Sequence, residues 1–93
     1  MKSNVKPVET VAGIYHVREM TARQAVRLES AVKGAGGDTE KLLELQLIAY
    51  VCGPLGEDLP GAADLLDAPQ SVAMALIKAG SEINGMGADR KGN

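Results

Sequence analysis

The fold depends most on the apolar run at residues 45–52, Leu45-Gln46-Leu47-Ile48-Ala49-Tyr50-Val51-Cys52. At about 3.6 residues per turn, these side chains surround a helix axis on all sides, with only Gln46 interrupting them. We therefore predict a central helix that begins at Asp38 or Thr39 and ends near Cys52, before the helix-breaking pair Gly53-Pro54. A helix that is apolar all round must be covered all round. The cover is either the rest of the domain or a partner chain, and the sequence leaves both alternatives open.

Two amphipathic helices flank this run. Thr21 and Gln24 have the spacing of a capping box, which predicts a first helix from Ala22 to Lys33. The glycine-rich residues 34–37 end it, because glycine loses the most backbone entropy on ordering. The first helix offers only a shallow apolar face, formed by Ala25, Leu28, Ala31 and Val32.

The last helix is predicted by a second capping-box spacing. Asp67 and Gln70 would begin a helix over Ala68 to about Ile83. One helical turn is expected just before it, from Ala62 to Leu66, after a loop rich in glycine and proline.

The amino-terminal part has the composition of β-structure. Residues 8–18 contain β-branched and aromatic residues on both sides of an Ala-Gly pair, so a short hairpin is expected, with Gly13 supplying a positive φ. The predicted fold class is mainly α, with three to four short helices and a small N-terminal β-hairpin or strand. Residues 1–93 are expected to form a single domain, with flexible ends at 1–7 and 86–93.

Composition predicts a thin core. Hydrophobic residues make up 45% of the chain, but it has no Trp or Phe, and Tyr15 and Tyr50 are its only aromatic residues. Alanine buries little area per ordered residue, so self-association is an expected source of extra stability. Charge is also uneven, because basic residues dominate up to Lys33 and acidic residues dominate after it. Opposite charges of this kind favour head-to-tail contacts between copies.

The residues that most enzymes require are scarce. His16 is the only histidine and lies in a strand-like run, where a surface position is expected. Cys52 is the only cysteine, and its apolar setting is typical of an inert buried thiol and of a reducing compartment. We therefore expect no enzymatic activity, no metal and no cofactor. A small enzyme assembled across subunits around His16 is a further alternative.

Two classes of partner are also disfavoured. In a helix-turn-helix interpretation the second helix would present leucines to DNA, so no nucleic acid is expected. No apolar run approaches the roughly 20 residues that cross a bilayer, and no signal-peptide pattern opens the chain, so a cytoplasmic protein without a membrane partner is expected.

The order of these features resembles the tail assembly chaperones of long-tailed bacteriophages and prophages. The resemblance covers residues 14–85 and includes the start of the first helix, the end of the central helix and a Leu-Asp pair before the last one. The matching residues are Arg18, Glu19, Thr21, Ile48, Ala49, Gly53, Leu66 and Asp67.

This resemblance implies a function in virion assembly. The protein would coat the tape measure protein in the host cytoplasm until tail tube subunits displace it, and it would be absent from the mature virion. The expected contact residues are Leu43, Leu47, Tyr50 and Val51, with Arg18, Arg23 and Arg27 as steering charges. For the first four, ordinary core packing is the alternative. The alternative function is a small bacterial or mobile-element adaptor or regulatory protein that binds one partner through the same helices.

Overall fold

The structure, a computed structural model, describes residues 4–85. Three strands, three α-helices and one 3₁₀ helix occur in this part of the chain. The elements are β1 (Val5–Thr10), β2 (Gly13–Arg18), α1 (Ala22–Gly34), α2 (Thr39–Tyr50), β3 (Val51–Cys52), a 3₁₀ helix (Ala62–Asp67) and α3 (Gln70–Ile83).

The predicted hairpin is confirmed, and it is part of a larger sheet. β1 and β2 pair antiparallel around a two-residue turn, with Thr10 opposite Gly13, whose φ is +120°. β3 then adds to the other edge of β2, giving the strand order β1-β2-β3. The fold is therefore α+β, and the prediction of a mainly α chain is only partly right.

The third strand arises where the central helix was expected to continue. α2 ends at Tyr50, and Val51 is extended with φ −82° and ψ 133°. Val51 pairs with Val17, and Cys52 pairs with His16. β-Branched valine fits a pleated strand well. Pairing with β2 also gives hydrogen-bond partners to backbone groups that would have stayed unpaired at the end of a longer helix.

Local signals identified two of the three helix starts. Thr21 accepts a hydrogen bond from the backbone N–H of Gln24, whose side chain accepts one in return, and Asp38 caps α2 through the N–H of Lys41. The third prediction was wrong, because α3 begins at Gln70 after Pro69 and Asp67 does not cap it. A residue before proline avoids the helical region, and Ala68 is accordingly extended.

The core lies between the sheet, α2 and α3. Its largest fully buried side chains are Tyr50, Leu47, Leu76, Val17, Val51 and Val72. Ala62 of the 3₁₀ helix and Ala79 of α3 complete it, so the predicted short helical turn contributes to the core.

The ends differ from the flexible segments expected. Val5, Lys6 and Pro7 belong to β1, paired with Arg18, Val17 and His16. The expected flexibility of residues 1–3 and 86–93 concerns positions outside the described residues.

Candidate partner-binding surface

The apolar contact residues expected from the sequence are mostly core residues. Leu47, Tyr50 and Val51 have no solvent-exposed surface. A side chain without exposed surface contacts a partner only if the domain rearranges. Ordinary core packing, the alternative considered for them, therefore describes their place in the fold. Leu43 is half-buried and keeps part of its surface open.

Arg18 is also internal, with an exposed fraction of only 5%. Its guanidinium donates hydrogen bonds to the carbonyl oxygens of Ala49 (3.1 Å), Ile48 (3.4 Å) and Gly56 (3.0 Å). It also forms an ion pair with Asp58, with 2.9 Å between Nη1 and Oδ1.

These contacts give Arg18 a structural role. The last carbonyls of a helix lack intrahelical donors and carry the negative end of the helix dipole, so a cation is favourable there. α2 has no basic residue in its own last turn, and Arg18 supplies the charge from β2. In the folded chain these donors are used internally, so the structure gives Arg18 a packing role, and its expected steering of a partner stays a prediction.

Arg23 and Arg27, the other two residues expected to steer a partner, differ from Arg18 in their exposure. Both are exposed on α1, and neither forms an ion pair with any residue between 4 and 85. Their charges are available to an acidic partner, whereas the charge of Arg18 is not.

An open groove of about 250 Å³ lies between α1 and α2. Its apolar lining comes from Leu28 and Ala31 on α1 and from Leu45, Ile48 and Ala49 on α2. Gln24, Arg27, Arg18 and Asp58 provide the polar part of the lining. The arrangement is an apolar floor with a polar rim, in which Arg27 is the cation not paired within residues 4–85, and an amphipathic helix would match this chemistry.

The groove is open because α1 covers α2 incompletely. None of the residues of α1, all of which are described, is buried. Ile48 remains 50% exposed although it lies in the middle of the apolar run. The shallow face of α1 thus leaves one side of the central helix in contact with solvent.

The apolar run is visible in the sequence, but the residue of the run that faces outward is not. Leu47 and Ile48 are adjacent and equally apolar, so composition does not distinguish them. Once α1 is placed against the side of Leu45 and Ala49, helical spacing puts Ile48 on the groove and Leu47 in the core. The position of α1 was the missing information.

The predicted burial of Cys52 is confirmed. Burial raises the pKa of the Cys52 thiol. The nearby positive charge of Arg18 lowers this pKa by less, and the negative charge of Glu57 adds a still smaller raising effect. A raised pKa keeps the thiol protonated and weakly nucleophilic at neutral pH. His16 is partly buried in β2, and residues 4–85 contain no cluster of three or more potential metal ligands.

Comparisons with known proteins assign no function to this chain, so its function is inferred from the partner-binding surface. Among the helices of residues 4–85, none has the length and apolar character needed to span a bilayer. No model of a known protein family matches the chain, and no curated protein or solved structure matches it significantly.

Proposed function

We propose that this protein is a tail assembly chaperone that binds an apolar helical segment of a tape measure protein in the groove between α1 and α2. It acts by binding, in the host cytoplasm, and tail tube subunits displace it as the tail grows. The resemblance of residues 14–85 to that family suggests the partner, and the groove supplies a surface suited to it.

The half-exposed Ile48 is the observation that carries the proposal. It lies on the floor of the groove beside Leu45 and Ala49, and Leu28 faces it from α1. An amphipathic helix placed there would bury this surface as an additional helix of the domain, using apolar residues at spacings of three and four. Arg27 at the rim favours acidic residues along the flank of that helix.

The first experiment is co-expression with a tape measure protein encoded beside this chain. The expected result is that the tape measure protein remains in the soluble fraction and co-purifies with the chaperone. An unchanged solubility of the tape measure protein would contradict the function. Partner binding without any tail gene nearby would instead favour the adaptor alternative.

The second experiment tests the groove with two matched substitutions. Ile48→Gln removes apolar surface from the floor, whereas Leu55→Gln makes the same kind of change at a loop residue that is 91% exposed and lies outside the groove. We expect Ile48→Gln to weaken binding by about tenfold, equivalent to about 1.4 kcal/mol, and Leu55→Gln to bind like the wild type. Equal binding by both variants would place the partner elsewhere on the molecule.

A further inference from the structure

A second face of α1, which shares only Arg27 with the groove, carries an apolar residue between positive charges. Val26 is 63% exposed and lies in a shallow surface with Ala22, Arg23 and Arg27. Exposed valine on a short helix costs solvation free energy, and neither arginine is paired within residues 4–85. We call Val26 with Arg23 and Arg27 the basic knob.

A depression with the opposite character lies where α2 meets the 3₁₀ helix. Leu43 and Leu66 supply its apolar part, and the exposed Glu40 and Asp67 supply two carboxylates, with Thr39 completing the lining. No ion pair of Glu40 or Asp67 occurs within residues 4–85. We call this depression the acidic pit.

The two surfaces lie on different sides of α2, so the knob and the pit of one chain do not meet. α1 contacts α2 on the side of Leu45 and Ile48, and the pit opens on the side of Leu43. At about 100° per residue, Leu43 and Leu45 lie about 200° apart around the helix axis. A contact between knob and pit therefore requires two molecules.

We propose that a second copy of this chain is the occupant, with the basic knob of one molecule seated in the acidic pit of the next. Val26 contacts Leu43 and Leu66, while Arg23 and Arg27 lie against Glu40 and Asp67. Apolar contact at the centre with opposite charges around it is the usual arrangement of a specific interface. Such a contact uses two different patches, so it repeats head to tail and forms either a ring or an open helical array.

This association does not depend on the proposed function. Leu28, Leu45 and Ile48 line the groove and belong to neither contact surface, and Arg27 alone is shared between the groove and the basic knob. Oligomer formation is therefore measurable with the purified chain alone, whatever partner the groove binds.

Charge reversal tests the contact. Arg23→Glu with Arg27→Glu gives a chain with an acidic knob, and Glu40→Lys with Asp67→Lys gives a chain with a basic pit. All four side chains are exposed, so both variants are expected to fold, which circular dichroism checks. In sedimentation velocity the wild type is expected to associate with increasing concentration and to dissociate with added salt, because the contact is partly ionic.

The mixture of the two variants is the decisive sample. Each variant alone places like charges in contact and is expected to sediment as a monomer. In an equimolar mixture every knob again meets a pit of opposite charge, and association is expected to return. A monomeric wild type, a reversed variant that still associates, or a mixture that stays monomeric would each overturn the proposal.

Discussion

At the scale of single residues, α3 approaches Tyr50 of α2 closely at Gly80. Gly80 is buried, and a Cβ atom added to it would overlap the Cβ, Cγ and Cδ2 atoms of Tyr50. Tyr50 is the largest fully buried side chain, so it has little room to move away. Glycine is needed here for the space it leaves and not for its backbone freedom, because its φ is not positive.

We therefore expect Gly80→Ala to destabilise the protein. Overpacking of a filled core costs about 1–3 kcal/mol. That cost exceeds the gain of up to about 1 kcal/mol from the better helix propensity of alanine. Urea unfolding followed by circular dichroism measures the difference as a lower midpoint.

Gly34→Ala is the matched control for this substitution. Gly34 is the last residue of α1, its φ is not positive, and no atom lies within 4 Å of an added Cβ. The Gly34→Ala variant is expected to be as stable as the wild type or slightly more stable. If Gly80→Ala unfolded at the same urea concentration as Gly34→Ala, the approach of α3 to Tyr50 would be looser than described.

At the scale of the elements, two polar side chains join the helices to the sheet. Arg18 links the end of β2 to the end of α2. Asn84, just after α3, accepts a hydrogen bond from the N–H of Met20 (2.7 Å) and donates to the carbonyl oxygens of Arg18 (3.1 Å) and Gly80 (2.8 Å). The carboxyl end of α2 is thus held to the last residue of β2, and that of α3 to the same residue and to Met20 just after it.

Removing the guanidinium should loosen the end of α2. Arg18→Met keeps an apolar stem of similar length but leaves the carbonyls of Ile48 and Ala49 without a donor. We expect a loss of about 1–3 kcal/mol in the free energy of unfolding, the usual cost of buried groups left unpaired. The ion pair adds little to this figure, because the carboxylate of Asp58 is 90% exposed.

Arg23→Met provides the control for the role of Arg18. Arg23 is exposed and makes no ion pair within residues 4–85, so in dilute solution, where copies do not associate, its replacement is expected to change stability by less than about 0.5 kcal/mol. Chemical denaturation of the two variants measures the difference between their free energies of unfolding. Both substitutions remove one positive charge, so the change in net charge is the same. Equal stabilities would show that solvent replaces the donors of Arg18 without cost.

Elements governed by neighbouring residues were predictable from the sequence, and those governed by distant ones were not. The capping box at Thr21 and the N-cap at Asp38 act within one turn, so their signals are complete in the sequence. β3 forms because Val17 lies beside Val51, and the role of Arg18 depends on carbonyls thirty or more positions away, which no local pattern contains. The same reason explains why the apolar run was recognised while its outward-facing residue was not.

At the scale of the whole molecule, packing is uneven. α3 contributes five buried residues, Val72, Ala73, Leu76, Ala79 and Gly80, and contacts the sheet, α2 and the 3₁₀ helix. α1 contributes none, and α2 is the element that it principally contacts. A helix with so little buried surface gains less stability from tertiary packing than the other helices, although its capping box stabilises its first turn.

We therefore expect α1 to open before the rest of the domain. In native-state hydrogen exchange, amides in the middle of α1, such as that of Leu28, should exchange with a smaller opening free energy than amides of α3, such as that of Leu76. The reason is that α1 separates from α2 without exposing a buried side chain of its own, whereas α3 separates only with the core. Equal protection of the two helices would contradict this order. Occupation of the groove by a partner helix adds contacts to Leu28 and Ala31, so protection of α1 should rise on binding while that of α3 changes little.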